Sequence, residues 1–226
     1  MRVLLSFLVF MVLKLISKIF YRLEVNWLSE LGQDFDKIRL IVFLNHTSLY
    51  EPLYVAAAPN SFLWRLSRKM VAPAADKTLN RPIVGFFWKI MSPGLITITR
   101  KRDKSWYRFL EAIERRSVIA IAPEGRMKRK NGLDSEGKPM SIRAGVGEIF
   151  EELNEGRILI AYSGGLHHVQ HPGQFFPKLF KTIKLNIEVL DIPEYKSQFS
   201  QDPKLRRKEF VADLEARLKK NVPKMS

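Results

Sequence analysis

A histidine and a carboxylate stand directly after an apolar run in this chain. Asn45-His46-Thr47-Ser48-Leu49-Tyr50-Glu51 follows Ile38-Arg39-Leu40-Ile41-Val42-Phe43-Leu44. A run of this length with one charge in it reads as a largely buried strand. In open α/β sheets ligands bind beyond the carboxyl ends of strands, so an imidazole at that tip faces a crevice. Pro52 fixes its own φ and turns Glu51 away from α geometry, which predicts a helix beginning at Pro52 with Glu51 at its positive end. From there the carboxylate can fold back towards His46. A carboxylate on one ring nitrogen fixes the tautomer and leaves the other nitrogen as a general base, a pairing suited to taking a proton from an alcohol. The same residues also fit a capping box, Ser48-x-x-Glu51, in which Glu51 only starts a helix.

Composition bounds the chemistry. With 226 residues the chain can build one well-buried α/β domain and a short appendage. It has no cysteine, which excludes a disulfide, a thiolate metal site and an acyl-cysteine intermediate. The net charge of +15 points to an anionic partner: nucleic acid, anionic lipid, a phosphorylated substrate or an acidic carrier protein. Val3 to Leu13 is almost wholly apolar, and Lys14, Lys18 and Arg22 then recur every fourth residue, which predicts a helix with one basic face. The uninterrupted apolar part is shorter than the roughly 20 residues a spanning helix needs. In-plane, monotopic attachment by this helix is therefore expected, with residues 1–35 as a membrane-associating helical segment, against a cleaved signal, a short spanning helix or a buried core helix. Trp27 fits headgroup depth or a core position.

The remaining residues, 36–226, read as one domain. Glu24 to Lys37 is a polar connection, and strands are expected at 38–44, Phe62–Met70, Gly94–Arg100, Ser117–Ala122, Arg157–Tyr162 and Thr182–Leu190. Helices are expected over Pro82–Met91, after an Asp103 cap with Trp106, Phe109, Leu110 and Ile113 inward, over Arg143–Leu153, and over Pro203–Lys220. Gly125 to Met140 is a long loop. Strands alternating with helices predict a mixed, mainly parallel sheet flanked by helices, preceded by a membrane-associated helical segment.

Three of the predicted strand ends carry polar residues: His46 with Glu51; Arg100 with Lys101, Arg102 and Lys104; and Pro123-Glu124-Gly125-Arg126-Met127-Lys128-Arg129-Lys130. If these strands are parallel, a general base stands beside several phosphate-binding cations. In order and spacing the blocks resemble the lysophosphatidic acid acyltransferase (PlsC-like) family of glycerolipid acyltransferases, over residues 38 to 165. Asn45, His46 and Glu51 match its N-H-x-x-x-x-D block, Gly94 to Arg100 its glycine–strand–arginine block, and Pro123, Glu124 and Gly125 its F-P-E-G-T-R block. Arg143-Ala144-Gly145-Val146-Gly147 matches its basic, glycine-rich helix start.

The resemblance implies that His46 deprotonates a glycerol hydroxyl that attacks an acyl thioester directly, with Glu51 orienting it. It implies that Arg100, Lys101, Arg126 and Lys128 meet the acceptor phosphate while Asn45, Glu124 and Gly125 shape its site. It further implies 1-acylglycerol-3-phosphate as acceptor, acyl-CoA or acyl carrier protein as co-substrate, no cofactor and no metal. The partners are then membrane lipids and not nucleic acid, at the cytoplasmic face of the cell membrane. Two positions depart from the family: Glu51 stands for Asp, and Arg126-Met127 for Thr-Arg. Arg and Lys are not interchangeable at a phosphate, so the second departure bears on acceptor choice.

Two other functions fit parts of the chain. Ala161-Tyr162-Ser163-Gly164-Gly165 resembles a nucleophile elbow with His167, His168 and His171 nearby, although a serine hydrolase of that type needs its acid and then its histidine well downstream, and no histidine follows His171. The three histidines are also a weak metal signal. Trp106-Tyr107-Arg108 interleaves aromatic and basic residues as nucleic-acid-binding surfaces do.

Overall fold

The apolar run Ile38–Leu44 forms strand β2 at the centre of a seven-stranded sheet. Every residue of it is buried except the half-buried Phe43, because helices cover both faces. The computed structural model describes all residues except 32, 33, 100, 101, 130, 171–173, 175, 225 and 226. Along the chain come α1 (Arg2–Phe20), β1 (Tyr21–Trp27), β2, a 3-10 turn (Glu51–Ala57), α2 (Asn60–Lys69), β3 (Met70–Ala75), α3 (Asp76–Leu79), α4 (Pro82–Met91) and β4 (Gly94–Ile98). They are followed by α5 (Lys104–Glu111), β5 (Val118–Ile121), α6 (Gly145–Glu152), β6 (Arg157–Gly164), α7 (Leu166–Val169), β7 (Lys181–Asp191), α8 (Ile192–Ser197) and α9 (Pro203–Asn221).

The strand order is β1-β7-β6-β2-β5-β3-β4. β6, β2, β5, β3 and β4 run parallel, β7 is antiparallel to β6, and β1 runs parallel to β7. The sheet is thus mixed and mainly parallel, as expected, and the carboxyl ends of β2 and its neighbours β5 and β6 lie side by side. Alternation along β2 divides the core: Ile41 and Phe43 face α1, α2, α4 and the 3-10 turn, while Leu40, Val42 and Leu44 face α5, α6, α8 and α9.

Glycines set the second layer. A Cβ on Gly145 would lie 2.8 Å from the Trp106 ring, and one on Gly147 would lie 2.9 Å from the Arg207 carbonyl oxygen. The glycines of the Arg143–Gly147 block therefore let α5 and α9 approach α6. There Phe150 and Phe210 stack at 3.9 Å and 8°, both fully buried. Asp103 caps α5 by accepting the Ser105 N–H, as predicted.

Several expectations change. Phe62–Met70 is helical up to Lys69, not a strand. Phe62, Leu63 and Leu66 recur at helical spacing on the buried side, and Arg65 clasps the carbonyls of Phe35, Asp36 and Ile38 just before β2. The missing strand is β3, whose Ala-rich segment carries little hydrophobic signal of its own. Glu24–Lys37 is not merely a connection: β1 pairs with β7 from Tyr21 to Trp27.

Helix α1 ends at Phe20, which removes Arg22 from it, and Lys14 turns inward onto Ala58 O at 2.7 Å and Asn60 Oδ1 at 2.8 Å. A basic helical face does not form. Trp27 packs edge-on to Phe35 against the core rather than standing clear of it.

Replacing Phe210 with Ala should destabilise the protein by about 3–5 kcal/mol, because the stacked partner and its cavity cannot close. Denaturant unfolding measures this; a loss under about 1 kcal/mol would show that α9 contributes little to the core.

Candidate active site

β2 ends in a reversal that the sequence marks with an asparagine. Asn45 has φ 63°, a left-handed conformation that asparagine tolerates better than most side chains. The turn brings two successive backbone N–H groups, of Asn45 and His46, onto the two oxygens of Glu124, each at 2.9 Å. Glu124 comes from the end of β5, and only 1% of it is exposed. Gly125 then takes φ 63° to leave the strand. The Asn45 side chain donates to Ser163 O on β6 at 2.7 Å and accepts from Lys128 Nζ at 3.1 Å. Three parallel strand ends are fastened together here.

His46 projects from this platform. Its Nδ1 lies 2.6 Å from Glu51 Oε2, and Glu51 Oε1 accepts the Thr47 N–H at 3.3 Å. Glu51 opens the 3-10 turn next to Pro52, so the expected fold-back occurs with 3-10 in place of α geometry. The capping box does not form: the turn's N-cap is Tyr50, without a side-chain cap, and the Ser48 hydroxyl accepts the Tyr50 N–H at 3.3 Å in a local turn ahead of it. With Nδ1 held by the carboxylate, the imidazole keeps its other nitrogen for chemistry.

The charges around His46 oppose its burial. Burial alone lowers the imidazole's pKa, but the charge and hydrogen bond of Glu51, with the Glu124 charge behind them, outweigh it and raise it above that of free imidazole. Glu124 is pushed above the usual carboxylate range by burial, partly offset by its two N–H donors and by His46.

The other expected residues separate. Arg126 is 13% exposed in its side chain and is paired with Asp134, which also accepts the N–H groups of Glu136 and Lys138. The loop 126–140 thereby folds around a buried aspartate, and Arg126 is tied to the protein's own carboxylate. Lys128 stays beside the dyad: its N–H donates to His46 O at 2.8 Å. Arg100 and Lys101 lie outside the described residues.

Sequence reasoning missed Tyr54. Its hydroxyl donates to Gly164 O at 2.9 Å, lies 3.1 Å from Ser163 Oγ and accepts the Gly164 N–H at 3.1 Å, fixing the end of β6 beneath the dyad. Burial raises its pKa. A tyrosine in an otherwise apolar turn carries no sequence signal for this.

The same contacts correct the other readings. Ser163 lies within β6, fully buried, and its hydroxyl meets Tyr54 rather than an imidazole, so no nucleophile elbow forms. His167 and His168 lie on α7, while His171 is outside the described residues. Among the described residues no group of three or more His, Cys, Asp or Glu is arranged to hold a metal. Trp106 is a core residue that donates to Glu148 at 2.5 Å, not a stacking surface.

The acyltransferase family model matches residues 23–163, a stretch that contains the dyad, both bracing strand ends and Ser163. The chain belongs to the acyltransferase family. Its fold matches the crystal structure of the 1-acyl-sn-glycerophosphate (LPA) acyltransferase PlsC from Thermotoga maritima, with a TM-score of 0.53 and 18% identity over 89% of this chain and 74% of that one. No curated protein matches significantly. An imidazole paired with a carboxylate at parallel strand ends is an arrangement through which a hydroxyl can be activated.

Activity should follow the deprotonated fraction of His46, so it falls as pH drops through the raised pKa, at higher pH than free imidazole would give. Glu51→Gln removes the leading upward influence, so the acid limb should move to lower pH while kcat falls about 10²-fold or more. A kcat/KM profile against pH that keeps its midpoint in this variant would remove Glu51 from the dyad. Glu124→Gln forces an amide N–H against a backbone N–H, and should cost about 1–3 kcal/mol of stability together with activity. Thermal unfolding and turnover should fall together.

Proposed function

We propose that the protein transfers a fatty acyl group from an acyl thioester, of coenzyme A or an acyl carrier protein, to the free hydroxyl of a lysophospholipid, with 1-acylglycerol-3-phosphate as the acceptor. The observation that carries this reading is the His46–Glu51 pair at 2.6 Å on a platform where the hydroxyl of Ser48 accepts the Tyr50 N–H and that of Ser163 is buried against Tyr54. A base without an enzyme nucleophile suits direct transfer between two substrates. The free imidazole nitrogen takes the hydroxyl proton as the oxygen attacks the thioester carbonyl. The C–S bond then breaks, and the departing thiolate takes the proton from the imidazolium. Glu51 stabilises that cation while it exists.

Acceptor phosphate binding falls to Lys128, beside the dyad, and to the Arg100–Lys101 segment expected from the sequence. Arg126 is assigned instead to the loop. The fold shared with the lysophosphatidic acid enzyme supports the lipid acceptor, and so does helix α1. Packed on the 3-10 turn, α2 and α4, it leaves Leu4, Leu5, Leu8, Val12, Leu15 and Ile19 exposed along its outer side. α1 has the length and hydropathy of a spanning helix. Its lengthwise packing supports an in-plane attachment, with each exposed Leu or Ile adding about 1.5–3 kcal/mol when fully removed from water, and the face we propose is the cytoplasmic one.

His46→Ala should lower acyl transfer to a lysophospholipid by at least about 10²–10⁴-fold without loss of folding or membrane binding. Glu51→Asp should keep substantial activity, since charge and hydrogen bond survive. A panel of lysolipid headgroups assayed with each donor tests the acceptor; wild-type turnover by His46→Ala would end the proposal.

A further inference from the structure

The segment entering β7 places large apolar side chains in solvent while its backbone is held firmly. Phe176, Leu179 and Phe180 are 75%, 44% and 76% exposed. The Lys178 N–H donates to Val169 O at 2.8 Å, and the Phe180 N–H donates to Phe20 O, the end of α1, at 2.7 Å. Phe180 holds φ 57°, a left-handed conformation unfavourable for a bulky residue, with its ring 6.0 Å from that of Phe20. Lys181 pairs in register with Tyr21, and Lys184 with Gly164, so the segment stands at the end of the sheet that carries His46. Exposed Lys178 and Lys181 flank the apolar side chains, and exposed Lys18 lies two residues before Phe20 on α1; among the described residues none of these three lysines is in an ion pair.

We infer that Phe176–Lys181 is a second membrane-docking element, which seats its apolar side chains at the headgroup–acyl boundary of an anionic bilayer and sets Lys178 and Lys181 against lipid phosphates. The inference rests on the membrane reading of α1 given above. The segment joins α1 at its end, where the Phe180 ring meets that of the half-buried Phe20 next to exposed Ile19, and it adds two cations to Lys18 where Lys14 has turned inward. A bilayer accepts such a surface in one plane: apolar side chains enter and lysines stay at the phosphates. Attachment along the outer side of α1 restrains rotation about the helix axis only through that one row of side chains, whereas a second contact beside Phe20 widens the footprint and turns the end of the sheet bearing His46 to the lipid.

The test uses the full-length protein with vesicles of pure phosphatidylcholine and of phosphatidylcholine with phosphatidylglycerol. Lys178→Glu/Lys181→Glu should weaken binding to the anionic vesicles at least about tenfold with little change on neutral ones. Phe176→Ser/Phe180→Ser should weaken both about tenfold. Since the chain has no cysteine, Phe176→Cys carries a single environment-sensitive fluorophore, whose emission should shift to the blue on anionic vesicles. Unchanged emission overturns the inference. So does wild-type vesicle binding by both double variants, including the case where they lose turnover only with an acyl carrier protein donor, which would make the segment a carrier-protein dock. Leu4→Ser/Leu8→Ser/Val12→Ser separates the two readings: if it binds vesicles like wild type, membrane attachment through α1 itself fails.

Discussion

One buried carboxylate holds this site together. Glu124 leaves β5 and receives the N–H groups of Asn45 and His46 at the end of β2. Two N–H dipoles aimed at one carboxylate in a low-dielectric setting are strong individually and costly to lose. They are available only because Asn45 takes a left-handed turn that points successive amides the same way. From that clamp follow the direction of the His46 side chain, the reach of Glu51 and the position of Lys128, whose backbone is bound to His46 O.

The clamp also sets the electrostatics. Glu51 touches the imidazole and Glu124 lies behind its backbone, so the negative field at His46 outweighs the desolvation that would otherwise keep the ring neutral. A base of this kind is stronger than free imidazole and readily stabilised as imidazolium, which is the state it must pass through when it accepts a hydroxyl proton. The cost is a buried glutamate, which the fold tolerates because its two oxygens meet backbone donors.

Around the site the chain resolves its charges in two ways. Arg126 and Asp134 close the long loop on itself, and Lys14 fastens α1 to the carboxyl end of the 3-10 turn. These cations belong to the framework and leave Lys128 beside the dyad. The outer side of α1, relieved of Lys14 and Arg22, exposes Leu4, Leu5, Leu8, Val12, Leu15 and Ile19, with Arg2 and Lys18 exposed near its two ends. The same tertiary contacts thus order the turn that carries His46 and Glu51 and leave an apolar surface on α1.

The strands of the parallel core, the capped helix α5, the terminal helix and the pairing of His46 with Glu51 were legible in residue order, because hydrophobic period, proline and a short loop are local properties. β3 was not, since its small side chains carry little signal and its place comes from β5 and β4 beside it. Nor was α2, whose basic residues mimic strand alternation until the buried side is known. The family blocks picked out His46 and Glu51 but could not say what each neighbouring charge meets. Which cation is tied to Asp134 and which stands beside His46, whether Ser163 meets a base or Tyr54, and which way α1 turns its lysine are decided by contacts between residues far apart in the chain. Sequence alone determined the types of group that reach the carboxyl ends of the strands; only the packed sheet, by burying some of them against partners, decided which remain able to act.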